Sequence, residues 1–568
     1  MDKQTILTLA ALLLTSSAWG QSKQEGEVEL SGGYGNTAPY ASRLQLNLGE
    51  GKVVFKPFVG IKGLARHSSE QNLDEYYIFT GKMPLSETVG SQYYSHQTTE
   101  AKGMMADYGF QFAYRPTTQQ TLTVSLRGES LHKDERGTLA ERLLAPDGAP
   151  LAKTRWRLNN PLLRSNHLKV GADYTCRFKR DDVTLSYKYQ RDRDEAERQL
   201  EALQLEGFSD FQATLTTADA TVHHHDLRLI YNTQALLGHL RLVARYENRL
   251  AESDDQQWID DRLAQDSHFR HRYQTAAASF LYDVHPDRQK RLGLTAGLEF
   301  AYTDMAGKKL RDFLPTGRIG WQVSRTSQLA LGYNRRLVRP SLTLLNPVVL
   351  RTPFAVRQGN KDLEGLHANV FALSFTHDDP IFSWGMSLSY TMSNDGFNGI
   401  WMERDNRRIY QWGNEGKRRA WSIQPDFTLH ASTTTKVRGQ AVILWDKRIA
   451  DAVSMAKEHW GVFSRLGVEQ MLCATFRLNA FAEYSEGNTQ DLYRHMGSAY
   501  RLGTTLSKSF GDHFSTSLEY QYVRQAKEVY THGGYTGSYH LYSARRNACS
   551  LSLKYKFCLL YTSPSPRD

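Results

Sequence analysis

Length, composition and charge exclude several classes of protein. The chain has 568 residues, of which 40% are hydrophobic and 11% aromatic, so it is neither disordered nor fibrous. Its formal net charge of +10 is modest for this length and its basic residues are scattered, which argues against a nucleic-acid-binding protein. Four widely separated cysteines, Cys176, Cys473, Cys549 and Cys558, form no CxxC pair and predict neither a disulfide scaffold nor a zinc site.

The N-terminus has the features of a secretory signal peptide. Lys3 precedes an apolar run from 6 to 14, and the small residues Ala18 and Gly20 stand where a signal peptidase reads the chain. We therefore expect cleavage near Gly20 and assign residues 1–20 to the signal peptide. A membrane anchor is the weaker alternative, because a spanning helix needs ~18 apolar residues, and no later run reaches that length.

The remaining chain repeats segments of about ten residues in which apolar and polar side chains alternate. In one such segment Leu294, Leu298 and Tyr302 fall on one face, whereas Thr295 and Glu299 fall on the other. A period of two is typical of β-strands that have one apolar face. The sequence therefore predicts an all-β protein built from many such strands.

The connections between these segments alternate between short and long. The short links lie at 49–52, 115–120, 179–182, 232–239, 285–290, 324–327, 378–381, 432–435, 472–474 and 510–513. Long polar stretches, interpreted as loops, lie between them, for example at 131–166, 192–221, 251–272, 340–367 and 526–543. Outer-membrane barrels have short periplasmic turns and long outer loops, and the chain follows that pattern throughout.

Charges and aromatic residues favour a membrane barrel over a soluble sandwich. Lys188, Arg228 and Glu483 lie in the middle of polar strand faces, which suits a wet lumen but not a dry core. Aromatic pairs such as Tyr187 with Tyr189 fall at predicted strand ends, as in the girdles at membrane interfaces.

We therefore predict one domain, residues 21–557, that forms a closed antiparallel transmembrane β-barrel of about 22 strands, of the outer-membrane type. An open edge in lipid would leave backbone groups unpaired at several kcal/mol each, so the first strand, near 27–34, should pair with the last, near 546–557. An even strand number places both termini on the periplasmic side of the outer membrane of a Gram-negative bacterium.

One stretch of sequence resembles a known family. Residues 331–341 (LGYNRRLVRPS), followed by 345–347 (LNP) and 359–363 (GNKDL), resemble the barrel motif of TonB-dependent receptors. Residues 26–35 are similar to the first barrel strand of that family and residues 547–557 to its last. The resemblance implies a large barrel that captures a solute with its outer loops and passes it across the outer membrane.

The chain also departs from the family pattern. Lys361 stands where the family has proline, and 364–366 replaces the usual Lys-Pro-Glu, so we carry no ligand role from the family onto this loop. The family places a plug domain before the barrel, and because the first predicted strand follows the signal peptide directly, we expect no plug in this chain. The lumen would then be open, closed by its own loops, or filled by another chain, and energy coupling does not follow.

The last eleven residues of the chain do not fit the strand pattern. Residues 558–568 break the alternation and look like translated sequencing-adapter sequence, so we interpret them as a non-native tail.

Six residues around the family-like motif are candidate contacts to an anionic ligand or to lipid phosphates. They are Arg335, Arg336, Arg339, Arg351, Arg357 and Asn360. The alternative is a solvated loop base in which the arginines pair with acidic neighbours such as Asp362 and Glu364. The loop 404–408, with Trp401, Tyr410 and Trp412 beside it, suggests a surface for carbohydrate or, more simply, an anchor at the lipid interface.

No motif indicates an enzyme, a cofactor or a metal site. The tract His223-His224-His225 invites a metal interpretation, but successive strand residues point to opposite faces and do not converge on one ion. The sequence holds no Gly-x-Ser-x-Gly, His-Glu-x-x-His or phosphate-binding Gly-x-x-x-x-Gly-Lys motif. We therefore expect no enzyme and no cofactor.

Our leading hypothesis is an outer-membrane barrel for the binding and passage of an unidentified solute. The alternative is a structural or adhesive surface protein with a non-conducting lumen, and an outer-membrane enzyme is a third and weaker hypothesis. Expected partners are outer-membrane lipid and lipopolysaccharide, and a separate plug or surface lipoprotein. No nucleic acid is expected.

Overall fold

The computed structural model describes residues 24–34, 38–49, 51–64, 71–79, 92–206, 212–235, 238–287, 289–305, 307–347, 350–351, 356–404, 407–450, 455–486, 494–495, 498–525, 528–532, 535–543 and 547–559. The predicted signal peptide and residues 560–568 of the predicted tail lie outside these ranges, and both assignments stay predictions.

These ranges contain 28 strands, which form one sheet, and a single short helix. The strands are β1 (Gln24–Tyr34), β2 (Ala41–Asn47), β3 (Val53–Leu64), β4 (Gln71–Phe79), β5 (Gln92–Tyr114), β6 (Gln120–Leu144), β7 (Pro150–Arg177), β8 (Asp181–Glu206), β9 (Ala213–Ala235), β10 (Gly238–Ile259), β11 (Arg262–Val284), β12 (Leu292–Met305), β13 (Lys308–Gln322), β14 (Ser327–Val338), β15 (Leu350–Arg351), β16 (Val356–Gln358), β17 (Leu366–His377), β18 (Phe382–Arg404), β19 (Arg407–His430), β20 (Thr435–Ala450), β21 (Met455–Cys473), β22 (Phe476–Glu486), β23 (Arg494–His495), β24 (Ala499–Phe510), β25 (Phe514–Gln525), β26 (Glu528–His532), β27 (Tyr535–Ser543) and β28 (Asn547–Leu559). The helix is α1 (Leu342–Leu345). Within the described ranges, no helix has the length and apolar character needed to cross a membrane.

The wall is a closed antiparallel barrel of 22 strands, which confirms the predicted fold. Going around the barrel from β1, the wall strands follow chain order to β28 and omit only β4, β15, β16, β23, β26 and β27. The barrel closes where all 11 residues of β1 face partners in β28, from Gln24 opposite Leu559 to Tyr34 opposite Cys549. The predicted pairing of the first strand with the last is confirmed, and β28 reaches into the predicted tail by Cys558 and Leu559.

Alternation separates a lipid face from a lumen face. Large apolar side chains on alternate wall positions are exposed to the outside, among them Phe300, Leu331 and Leu466. The positions between them carry polar and charged groups, such as Arg228 and Glu483, as the sequence predicts. An exposed apolar belt of this kind is stable only in contact with lipid.

All ten predicted short links connect consecutive wall strands at the same end of the barrel, which we call the turn end. The opposite end is the loop end. The interpretation of three long stretches as loops is wrong. Residues 131–166, 192–221 and 251–272 lie mainly in the β6–β7, β8–β9 and β10–β11 hairpins, which continue beyond the membrane. Polar side chains on both faces hide the alternation there, while backbone pairing continues.

The wall differs in height around its circumference. Strands β5–β11 contain 22 to 28 residues each, about twice the ~9–11 that cross a bilayer. The β10–β11 hairpin ends in a two-residue turn, Asp260-Asp261, in which both residues have positive φ, as a type I′ turn requires. Strands β1–β3 contain only 7 to 12 residues.

Short strands from the loops raise the low part of the wall. β4 pairs with the loop end of β5 and with β27, and β27 pairs with β26, which in turn pairs with β23. β4 precedes β5 in the chain and β27 precedes β28. The pairing of β4 with β27 therefore lies above β28, β1 and β2, where the first and last wall strands meet.

Candidate functional site: the lumen loop and the charged inner wall

The β14–β17 connection leaves the wall and enters the lumen. β13 pairs with β14 only from Thr316 to Gln322, so Lys308–Pro315 has no partner in β14. We call residues 339–365 the lumen loop. Its described residues, 339–347, 350–351 and 356–365, contain α1, β15 and β16, and Arg339 and Asn346 among them contact the inner face of the wall at β10–β13. Wall residues beneath it, such as Thr303 and Met305, are buried although they face the lumen.

A buried carboxylate binds the first residue of the lumen loop and the strand that follows the loop. Asp312 of β13, 3% exposed, accepts hydrogen bonds from Arg339 at 3.1 Å and from the ring of His367 at 2.8 Å. Arg339 also donates to Thr303 at 2.5 Å. Since the pairing groups are withdrawn from water, removal of either partner of Asp312 leaves a charge that the surroundings cannot solvate.

The far side of the loop reaches β10 and β11. The Asn346 amide donates to Asp255 at 3.1 Å and to Ser253 at 3.4 Å. Nearby, Leu345 and Leu363 form a buried hydrophobic cluster with Phe269 of β11. The loop therefore spans the inner face of four neighbouring wall strands and is attached at each side of that span.

The last part of the lumen loop, residues 356–365, contacts β19 on another part of the wall. Asn360 donates from its amide to the carbonyl of Trp412 at 2.8 Å, and its side-chain oxygen accepts from the amide of Asp362 at 2.9 Å. The amide of Glu364 donates to the side chain of Asn414 at 2.8 Å. Backbone pairing of β16 with β19, parallel in direction, completes this attachment.

The predicted contact residues fall in different environments. Arg335 and Arg336 lie in β14 and project from opposite faces, and Arg336 is exposed. Arg339 and Asn360 are engaged in the attachment of the lumen loop. Arg351 and Arg357 belong to β15 and β16, but their side chains lie outside the described part of the structure. A ligand role for the six residues stays a prediction.

Two details of the sequence interpretation are corrected. The acidic partner of Arg339 is Asp312 on the wall strand β13, and not Asp362 or Glu364 within the loop itself. Glu364 instead pairs with Lys308 at 3.4 Å. Trp412 is not an anchor at the lipid interface, because it packs against the buried cluster under the lumen loop. The side chains of Trp401 and Tyr410 lie outside the described part.

The histidine tract alternates between the two faces of β9, as predicted. His224 faces the lumen with its ring 2.8 Å from Glu247, while His223 and His225 face outward and bond the hydroxyls of Tyr189 and Tyr187 at 3.0 and 2.9 Å. Tyr187 and Tyr189 lie within β8, about a third of the way along it, rather than at its end, since that strand runs from Asp181 to Glu206. In the described ranges no three His, Cys, Asp or Glu side chains are grouped to hold a metal ion.

The inner wall repeats one charged unit that sequence reasoning missed: a carboxylate shared by two basic side chains. Asp226 binds Arg228 and Arg245, and Asp446 binds Arg418 and Arg448 at 2.9 Å each. Two further units centre on Glu469, with Arg438 and Arg477, and on Glu483, with Arg465 and Arg501. Asp-x-Arg spacing at 226–228 and 446–448 places both charges on one strand face and is the signal that would have found two of them.

The closed antiparallel wall, the apolar lipid face and the charged lumen define an outer-membrane β-barrel protein. The family follows from a sequence model described as the outer membrane protein beta-barrel family, which matches residues 179–555. The chain belongs to this family. No curated protein sequence matches it.

Solved structures of similar fold include transport receptors. A mutant of the ferric enterobactin receptor PfeA from Pseudomonas aeruginosa is 12% identical with a TM-score of 0.60, covering 95% of this chain and 81% of that one. The copper transporter OprC is 10% identical with a TM-score of 0.62, covering 95% and 81%. FpvAI, in complex with pyocin S2, is 8% identical with a TM-score of 0.58, covering 94% and 73%.

At these identities the likeness shows the fold alone. The predicted resemblance to the barrel of TonB-dependent receptors is confirmed at that level, and the outer membrane is the location of the protein.

Proposed function

We propose that this barrel binds a solute at its loop end and lets it pass through the lumen across the outer membrane. The observation that carries the proposal is the lumen loop, which is attached to β10–β13 on one side and to β19 on the other, within a charged lumen. A loop fixed inside a barrel narrows the passage and places polar groups where a solute must go. The solved receptors and the copper transporter of similar fold support a transport role over catalysis.

The turn end faces the periplasm in this proposal, because outer-membrane barrels have short turns on that side. Both termini of the wall, at β1 and β28, then lie on the periplasmic side, and a separate chain that fills the lumen is a proposed partner. Arg336, exposed near the start of the lumen loop, is the predicted contact residue best placed to meet a solute.

One observation favours the alternative of an adhesive surface protein. The β6–β7 and β8–β9 hairpins contain strands of 23 to 28 residues and project far beyond the membrane, where they offer a large surface to a partner. Such a role needs no flux through the lumen.

Swelling of proteoliposomes in isosmotic arabinose separates the two functions. We expect the reconstituted full chain to admit the sugar faster than protein-free vesicles, and Arg339→Ala, which loosens the lumen loop, to admit it faster still. Vesicles with heat-unfolded chain are the control for leakage. If neither wild type nor Arg339→Ala admits arabinose, the passage proposal is wrong and the adhesive alternative replaces it.

A further inference from the structure

One sector of the inner wall displays arginines along its height. We call this sector the arginine ladder, and it consists of Arg418, Arg438, Arg448, Arg465, Arg477 and Arg501 on β19–β22 and β24. The ladder begins with Arg477 at the turn end of β22 and continues to Arg448 near the loop end of β20. It therefore follows the wall across the whole thickness of the membrane.

The carboxylates of this sector lie beneath their arginines. The Glu483 side chain is 13% exposed, whereas the side chains of Arg465 and Arg501, at 3.2 and 3.6 Å from it, are each 45% exposed. Asp446 is likewise buried between Arg418 and Arg448. Glu469, at 33% exposure, is less covered than Glu483 and Asp446, but its partners Arg438 and Arg477 are exposed more, at 61% and 54%. At Glu483 and Glu469 a solute in the lumen therefore meets more guanidinium than carboxylate surface.

An aromatic ring fixes the two central guanidinium groups. Arg465 lies 4.5 Å and Arg501 5.5 Å from the centre of the Phe481 ring. That ring rests on Gly503, where an added Cβ would come within 2.3 Å of it. Beside it opens a pocket of about 480 Å³ between β19 and β22, whose charged lining consists of Lys436, Arg438 and Arg465 with the carboxylates Asp426 and Glu469. The cations are held in place before any ligand arrives, which lowers the entropic cost of binding.

The charge balance of the sector is positive. Six arginines share three carboxylates, Asp446, Glu469 and Glu483. Lys436 on the same face adds a positive charge, while Asp426 on β19 and Glu519 on the neighbouring β25 add two negative charges, and an excess of cations remains. Guanidinium pairs of this kind match carboxylate and phosphate oxygens in geometry as well as in charge.

We infer that the arginine ladder binds organic anions bearing carboxylate or phosphate groups, and that such anions are the solutes of this lumen. The inference rests on the proposed function, because it names the solute class for the same passage.

Citrate binding to the detergent-solubilised full chain tests the site without requiring transport. By calorimetry at low ionic strength we expect citrate to bind, and R465Q/R501Q to weaken that binding about tenfold, since two charge-assisted contacts are lost. R465K/R501K, which keeps the charges, should retain most of the affinity. The matched control is Arg241→Gln, which removes a lumen-facing arginine of β10 on the far side of the barrel.

Flux of solutes of equal size tests the path. We expect reconstituted wild type to admit glucuronate faster than glucose, and R465Q/R501Q to lose this preference while glucose flux is unchanged. Faster mobility of each unheated variant on a denaturing gel, as for wild type, verifies that its barrel has folded.

Three results would overturn the inference: no citrate binding by wild type, equal binding by wild type and R465Q/R501Q, or an anion preference that survives in R465Q/R501Q. Passage of glucose without preference for glucuronate would leave the proposed function standing while the inference fails. Citrate binding that depends on the ladder, in a protein that admits neither sugar, would support the site and overturn the passage.

Discussion

Two regions of the inner wall use the same charged unit in opposite ways. On β10–β13, the covered wall, Asp312 takes its partners from the lumen loop and from the strand that follows it, Arg339 and His367, so both side chains are engaged in holding that loop. On the arginine ladder, Glu483 takes both partners, Arg465 and Arg501, from adjacent wall strands, and the guanidinium groups stay exposed. A buried carboxylate thus serves as an anchor where its partner belongs to a loop and as a support where its partners belong to the wall.

Removal of the arginine that anchors the lumen loop should have the largest effect on stability. Arg339→Ala leaves Asp312 buried with His367 alone, and we expect a loss of about 3–5 kcal/mol in the docking of the lumen loop, because a broken buried pair leaves an uncompensated charge. Protease accessibility and amide hydrogen exchange of residues 340–365 measure the loss. Arg336→Ala, which removes an exposed arginine three residues earlier, is the control and should change neither.

The double variant Arg339→Ala/Asp312→Asn sharpens this test. Because Asp312→Asn removes the buried charge, we expect the double variant to recover part of the protection from proteolysis and hydrogen exchange that Arg339→Ala loses. Equal protection in all three proteins would contradict the role of Asp312 as an anchor.

A substitution beneath the arginine ladder should have an intermediate effect. Gly503→Ala places a Cβ within 2.3 Å of the Phe481 ring, and the ring can yield only by disturbing Arg465 and Arg501 above it. We expect a loss of about 1–3 kcal/mol in the free energy of unfolding, as in other overpacked sites.

The control for this prediction lies on the same wall. Gly467→Ala meets its nearest neighbour, the carbonyl of Ala480, at 3.7 Å and should cost less than about 1 kcal/mol. Denaturant unfolding in detergent compares the two variants, and equal losses would show that Phe481 does not rest on Gly503.

A substitution in a turn outside both of these regions should have the smallest effect on stability. The backbone amides of Leu292 and Arg291 hold the pKa of Asp287, at the turn end between β11 and β12, below its ordinary value. A carboxylate with a lowered pKa stabilises the fold above its unfolded pKa, and this contribution is lost as the pH falls through the lowered value.

Asp287→Asn should therefore lower the melting temperature slightly near neutral pH, and the difference from wild type should diminish as the pH falls below the ordinary pKa of an aspartate, about 3.9. Melting curves across that range provide the measurement. A difference that persists undiminished in acid would mean that the carboxylate charge is not the stabilising feature.

The sequence predicts the wall better than its contents. Alternation and turn spacing depend on neighbouring residues, so the sequence predicts the membrane-spanning parts of the strands, the ten short links and the closing pair of β1 with β28. The sequence does not predict the extended hairpins, because both of their faces meet water. Polar residues then occupy every position, and the alternation that marks a strand is absent.

The inner site depends on contacts between distant positions. Asp312 lies 27 positions from Arg339 and 55 from His367, and Asn346 lies 91 from Asp255. Nothing in a local pattern indicates that the lumen loop turns inward rather than outward, and for this reason Trp412 was assigned to the wrong side of the wall.

The closing pair of strands also constrains how the barrel can form. Ser552 donates a hydrogen bond to Glu29 across 523 positions of sequence, so the wall cannot close until almost the entire chain has been made. Loop-closure entropy delays contacts of such separation, and until they form, β1 and β28 expose unpaired edges that invite pairing with other chains. Assembly of this barrel therefore requires the edges of β1 and β28 to be kept from pairing with other chains until they pair with each other. The pairing of β1 with β28 is thus the step at which aggregation competes with correct insertion.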